Sequence, residues 1–300
     1  MSAGVAIATT DREAWLTARR SYLTASDAAA VLGHSPWRSR LDVWREKVEG
    51  VSTVVESERM RLGRLLEPAI LARYAEDTTL RVAPNDQLHR SAAHPWLAAT
   101  PDAFVYDATG KLAGLAQAKA TSSVAGWHDG QPPLYYQVQA AVEMVVADAP
   151  WDDFPTLIAG SDYTCPRVER HVAAEDAIVD ELAEFWQRHV LTGTPPPPTS
   201  EGDIKTYLAM IPARARSIIS LPPAAVSLWE QMRTSEAQSK IYEARAKEAK
   251  AALLGLQGDA EVGVLPGTGY AMRRKVIEVG EKVTKPYTYQ TYSVAKYKER

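Results

Sequence analysis

The stretch that most constrains this chain is Thr100-Pro-Asp-Ala103, followed fifteen residues beyond Asp102 by Gln117-Ala-Lys-Ala-Thr121. Between them the apolar runs Phe104-Val-Tyr106 and Leu112 to Leu115 flank Asp107-Ala-Thr-Gly-Lys111. Turn residues between alternating apolar positions specify a β-hairpin. Pairing its strands brings Asp102 beside Gln117 and Lys119. A carboxylate, an amide oxygen and an ammonium then converge on one sheet edge, the inventory for holding a divalent cation and positioning a water beside it. The same residues also make an ordinary solvated Asp–Lys pair, so the hairpin alone does not decide between the two.

Upstream, Thr10-Asp-Arg-Glu13 is a capping-box pattern that starts a helix carrying Trp15 and Arg19. Thr24-Ala-Ser-Asp27 offers N-cap residues to a second helix through Ala28–Leu32, closed by Gly33. Ser26 reads either as a cap or as part of an anion site, because free N–H groups at a helix start attract negative charge. A third helix runs from about Arg40 to Glu49. A fourth, from about Glu56 to Glu76, places Glu67 on the stripe of Met60, Gly63, Leu71 and Tyr74. A carboxylate there either reaches solvent at the edge of the stripe or meets something positive, since burial without a partner is costly.

Downstream, Leu134 to Val146 has a helical pattern whose first turn holds Gln137 and Gln139. Phe154–Ile158 and Val168–Val172 read as strands, and Ala173–Leu191 as an amphipathic helix ended by Gly193-Thr-Pro-Pro-Pro-Pro198. After Leu221-Pro-Pro223 a long Ala-, Glu-, Lys- and Arg-rich helix extends to Leu254. Val262–Ala271 with Arg274–Val279 reads as a hairpin. Residues 271 to 300 hold eight Lys or Arg against three Glu, which suits a solvated tail or a DNA-facing one equally.

With 46% hydrophobic and 24% charged residues the chain has the makings of a globular core. The single Cys165 excludes an internal disulfide, a zinc knuckle or a cysteine-ligated iron–sulfur cluster. Neither a membrane span nor a signal peptide is expected. The net charge of −3 does not advertise nucleic-acid binding, but distribution matters more than the sum.

Several features fall in one order: Trp15-x3-Arg19, Leu23-Thr-Ala-Ser26, Gly63-x3-Glu67-Pro68, Thr100-Pro-Asp102, Gln117-Ala-Lys119, Gln137-Val-Gln139, and Phe185-Trp186 before Gly193-Thr-Pro195. Over about residues 11 to 198 this resembles the YqaJ-type viral recombinases, the lambda-exonuclease branch of the PD-(D/E)XK nuclease superfamily. The resemblance implies an α/β (α+β) PD-(D/E)XK core, a central mixed sheet flanked by helices, over residues 1–198. A helical and β-hairpin extension for assembly or partner and DNA contact follows over 199–300. It implies Mg²⁺-dependent 5′→3′ digestion of linear double-stranded DNA with a 5′-phosphate end, Mn²⁺ being able to substitute. The 3′ overhangs would pass to a single-strand annealing protein. A ring-shaped homo-oligomer, trimer or tetramer, in the cytoplasm of a bacterial host is implied as well. By position, Asp102 and Glu67 resemble the metal-binding acids, the Ala118 carbonyl a main-chain ligand, Lys119 the residue that orients the attacking water, and Gln137 the glutamine beside it. Arg19 and Ser26 resemble the 5′-phosphate pocket, with Thr121 and Ser122 as further hydroxyls.

Two positions depart from the family pattern. Gln117 stands where the family usually has Glu, and an amide ligates a hard cation without contributing charge. Activity is then weakened, shifted toward Mn²⁺ or lost, which opens a second reading: a DNA-end-binding scaffold on the same fold. Ala103 replaces a common Gly, a minor change.

Overall fold

The computed structural model describes residues 4–8, 11–52, 56–123, 127, 130–211, 217–268 and 270–273. The chain divides into two compact units, Met1–Met210 and Ile211–Arg300. The first therefore runs past the boundary expected at 198.

In the first unit α1 (Arg12–Arg20) starts one residue later than its expected cap. Asp11 accepts the Ala14 N–H at 2.9 Å, and Thr10 lies outside the described residues. Strand β2 (Leu23–Thr24) leads into α2 (Ala25–Val31), which starts inside the expected N-cap stretch: Thr24 is the N-cap, in a capping box with Asp27, and Ser26 already lies in the helix. α3 (Arg40–Trp44) continues as a π-helical turn to Glu49 and stops at Gly50, whose φ of 70° suits glycine. α4 (Glu58–Asp77) buries Ile70, Leu71 and Tyr74.

The central sheet is mixed. β3 (Arg81–Pro84) pairs with β6 (Ala103–Tyr106), and β6 with β7 (Leu112–Ala116), all antiparallel. The hairpin expected from sequence is thus present, its turn fixed by Asp107, whose Oδ1 accepts the N–H groups of Thr109 and Lys111. β7 then pairs in parallel with β9 (Trp151–Asp153), which pairs antiparallel with β12 (Arg167–Glu169). Between β7 and β9 runs α5 (Leu134–Ala147), the crossover helix that a parallel pair requires.

The same strand line continues into β8 (Lys119–Thr121), which is parallel to β10 (Thr156–Ile158); β11 (Asp162–Thr164) closes that edge. Bonds from Gln117 N–H to the Asp153 carbonyl and from Lys119 N–H to the Pro155 carbonyl, 2.8 and 2.9 Å, bridge the two sheets. Strand β9 falls outside the expected Phe154–Ile158 strand. It is seated by Gly114: any Cβ there would meet the Trp151 ring at 2.2 Å, so the ring lies flat on bare backbone.

A second sheet orders β1 (Val5–Ile7), β4 (Leu88–Arg90), β5 (Leu97–Ala99) and β2. Its core joins α2, α3, α5 and α6 (Val172–Phe185), around Leu23, Leu97, Val142, Leu182 and Phe185. α7 (Glu201–Met210) belongs to this unit, tied by the Ser39 hydroxyl donating to Asp203 at 2.6 Å.

In the second unit α8 (Ala224–Gln257) buries none of its residues. β13 (Val262–Val264) pairs with β14 (Ala271–Arg273), so the hairpin's return strand precedes the expected Arg274–Val279, which lies outside the described residues. Among the described residues no helix is long and apolar enough to cross a membrane.

Candidate functional site

Alternation along the strand through β7 and β8 sorts its side chains onto two faces. Ala116 packs with Leu71 and Tyr74 of α4. Leu115 packs with Ala140, Met144 and Ala147 of α5. Gln117 and Lys119 follow Leu115 by two and four residues and share its face, so they meet the residues that α5 presents there. These are Gln139 and Glu143, one helical turn apart. Asp152 is the register partner of Leu115, and Asp102 precedes Ala103, the partner of Ala116. Strand register thus collects Asp102, Gln117, Lys119 and Asp152 under α5.

The contacts follow that placement. Asp102 Oδ2 accepts the Ala118 N–H at 2.9 Å. Lys119 Nζ donates to Gln117 Oε1 at 3.2 Å and sits 4.8 Å from the centroid of the Tyr136 ring. Gln139 Nε2 lies 2.8 Å from Glu143 Oε1 and 3.4 Å from Gln117 Oε1. Glu67 projects from α4 into the same cleft of about 690 Å³. Desolvation and the Asp102 charge push the Glu67 carboxyl up to about 7, against the pull of Lys119 and Arg64. Asp102 is raised by desolvation, which Lys119 and the Ala118 N–H only partly offset. Desolvation opposes the charge on Lys119, but Asp102, Tyr136, Glu143 and Asp152 outweigh it and raise its pKa, so the ammonium stays charged.

At the other end of the cleft, Arg19 Nη2 donates to Ser26 Oγ at 2.7 Å and to Thr24 Oγ1 at 3.1 Å, its guanidinium lying 4.5 Å from the Trp15 ring centroid. Trp15 Nε1, a buried donor on this wall, has no hydrogen-bond partner. The helix start contributes little positive potential here: α2 has seven residues, and Asp27 already occupies its first turn. Arg19 is the source of charge. Behind it, Asp27 accepts from Thr24, from Arg38 at 2.9 Å and from Lys47 at 2.8 Å. Burial alone would raise the Asp27 carboxyl, but Lys47, Arg38 and Arg19 hold it well below the usual range.

Asp102, Gln117, Lys119, Glu67, Arg19 and Ser26 all line this one cleft. Ala118 meets it through its N–H on Asp102. Three expected residues stand apart. Gln137 turns its amide to the Pro132 carbonyl at 2.7 Å, and Gln139 takes the place beside Lys119, because the α5 face that meets the strand carries 139 and 143. Thr121 donates to the Ser123 carbonyl and receives Arg59 at 3.4 Å, and Ser122 is exposed beyond the cleft. Sequence reading missed Glu143, although it is the one charged residue in Leu134–Ala147.

Among the described residues no three His, Cys, Asp or Glu side chains form a ready metal cluster. The donors nonetheless fit a hard divalent cation: two carboxylates, Glu67 and Asp102, repel one another across the cleft, and behind them the buried Glu143 and Asp152 carboxyls have each other and Gln139 as hydrogen-bond partners among the described residues.

Residues 14–150 match the YqaJ-like viral recombinase domain. The chain is similar to an uncharacterized YqaJ protein of Bacillus subtilis (strain 168), 26% identical over 261 residues, covering 85% of this chain and 81% of that one. It also resembles in fold the alkaline exonuclease LHK-Exo of Laribacter hongkongensis, 24% identical, with a TM-score of 0.52 over 66% of this chain and 98% of that one. The same values hold for the LHK-Exo complex with dAMP. The fold is thus a mixed α/β fold of the kind LHK-Exo has.

Proposed function

We propose that this chain, whose residues 14–150 are a YqaJ-like viral recombinase domain, is a metal-dependent nuclease that digests linear double-stranded DNA from its 5′ end. One observation carries the reading. A single cleft joins an acid–lysine centre, Glu67, Asp102 and Lys119, to an arginine–hydroxyl wall, Arg19, Thr24 and Ser26. The first suits hydrolysis of a phosphodiester and the second suits retention of a terminal phosphate.

Asp102 and Glu67 would hold the cation, with the Ala118 carbonyl as a neutral donor. A cation bound there supplies Lewis acidity and makes water more acidic. Lys119 stays protonated, orients the attacking water and offsets negative charge building on the phosphate. Gln139 and Gln117 fix its direction. Arg19 forks onto the 5′-phosphate, which measures the end. Mg²⁺ is the expected ion, with Mn²⁺ able to replace it. Cytoplasmic action, a ring-shaped homo-oligomer, transfer of 3′ overhangs to a single-strand annealing protein, and use of the residues beyond 210 for assembly belong to the same proposal.

Incubation with 5′-phosphorylated linear duplex and Mg²⁺ or Mn²⁺ tests it, and is expected to release mononucleotides and leave 3′ overhangs. Gln117 favours a second reading, a scaffold that binds DNA ends without cutting. Tight end binding with no digestion in either metal establishes that alternative.

A further inference from the structure

Gln117 is the weak point of the proposed metal centre, and the structure sharpens the difficulty. Its Oε1 is committed to Lys119 and Gln139, so the amide atom left over is Nε2, a buried donor with no partner. A cation does not take a donor. Turning the amide over would place its NH₂ against the Lys119 ammonium, donor against donor. As arranged, Gln117 steers the lysine and neutralises nothing.

Negative charge is present one layer higher. Glu143 is 1% exposed and lines the cleft; its Oε1 takes the Gln139 amide, and its other side-chain partner is the Asp152 carboxyl, not a cation. Asp152, fully buried on the same sheet face, has the Glu143 carboxyl as its side-chain hydrogen-bond partner. Structural acids in this fold look different. The adjacent Asp153 accepts the Tyr74 hydroxyl at 2.6 Å and a two-pronged contact from Arg167 at 2.7 and 2.9 Å. An acid buried for stability alone needs such partners. Glu143 and Asp152 have Gln139 and one another.

We infer that Glu143 supplies the carboxylate that Gln117 lacks: it is the buried acidic ligand that completes the divalent-cation site with Asp102 and Glu67, and Asp152 is a positioning residue that buttresses it. The inference rests on the metal-dependent reading above. It moves the missing charge from the strand to the helix that crosses it, four residues on from Gln139.

Mn²⁺ binding to the full-length, DNA-free protein tests the inference, read by isothermal titration calorimetry and by the electron paramagnetic resonance of the bound ion. Glu143→Gln is expected to weaken Mn²⁺ binding by roughly 100-fold or more, beyond the ~10- to 100-fold typical when groups that only orient a metal's ligands are lost. Asp152→Asn should cost less and alter the resonance of the bound ion. The double variant Gln117→Glu/Glu143→Gln keeps the wild-type charge and should recover most of the affinity. It also keeps the test open if the single variant is unstable. Unchanged affinity in Glu143→Gln, with loss in Asp102→Asn, overturns the Glu143 assignment while leaving the metal centre intact. A double variant no better than a folded Glu143→Gln, or one that binds no Mn²⁺ where the single variant does not fold, overturns it equally. Absence of Mn²⁺ binding by the wild type, or binding that survives Asp102→Asn, removes both the assignment and the metal-dependent reading.

Discussion

Two groups of acids are buried in or behind the walls of the same cleft, and the fold treats them in opposite ways. Behind Arg19, Asp27 is fully buried yet ionised, because Lys47 and Arg38 lie within 2.9 Å and Arg19 adds to their field. Between α5 and the sheet, Glu143 of α5 and Asp152 of β9 are as deeply buried, and their carboxyls are pushed up by desolvation, Glu143 to about 7 and Asp152 well above its ordinary range. Lys119 is the cation that opposes both shifts, and it is shared with Asp102 and Glu67. The first group carries its counter-charge in the chain. The second is short of positive charge, as a cluster that takes its cation from solution should be.

The contrast breaks most readily at Asp27. Asp27→Asn takes the shared carboxylate from Lys47 and Arg38 and leaves both to Glu46, and removing one partner of a buried ion pair costs ~3–5 kcal/mol. Thermal melting should show it, at roughly 2–4 °C per kcal/mol for a domain of this size. A melting point near that of the wild type would mean that the network is incidental. Lys119→Ala should come next, slowing cleavage ~10²–10³-fold, as loss of a preorganised charge-stabilising donor does. Duplex binding should persist, and normal turnover would remove Lys119 from the site.

Arg19→Ala should erase most of the preference for a 5′-phosphate over a 5′-hydroxyl end. A charge-assisted contact of ~1.5–3 kcal/mol makes that preference roughly ten- to a hundred-fold. Hydroxyl ends should be cut at nearly the unaltered rate, and Arg19→Lys should restore part of the difference because it lacks the fork. Equal slowing on both ends would make Arg19 structural.

The smallest effect is in the pH dependence of stability, where the two groups differ in sign. Asp27 is depressed, so its contribution is complete above the ordinary carboxylate range and is lost only in strong acid. Glu143 and Glu67 are raised from 4.5 to about 7, so between those values the folded chain holds protons that the unfolded chain has released. Metal-free stability should therefore rise as pH falls from about 7 toward 4.5. Glu143→Gln should flatten that slope and Asp27→Asn should leave it; a slope untouched by Glu143→Gln would deny the raised carboxyl.

The hairpin was legible in the sequence because two local signals agree, turn chemistry at Asp107–Lys111 and alternation on either side. The N-cap chemistry of Thr24–Asp27 is equally local, although which of its residues caps the helix was not. The period of α4 places Glu67 beside the buried stripe and the hairpin places Asp102 at the strand end, while the metal-binding role of both comes from the resemblance alone. What escaped depends on packing. Gln137 and Gln139 are equivalent in sequence, and only the face of α5 that meets Leu115 selects the second. Trp151-Asp152-Asp153 has the composition of a turn, and it becomes a strand because Gly114 leaves room for the Trp151 ring and Tyr74 and Arg167 satisfy Asp153. Its acidic middle residue was hidden with it.

The most direct measurement is the anomalous scattering of a crystal of the full chain soaked in Mn²⁺ near neutral pH. A manganese peak in the cleft, within ligand distance of Asp102, Glu67 and Glu143 and with none beside Asp27, is the predicted result. A map with no peak among those three acids would contradict the account.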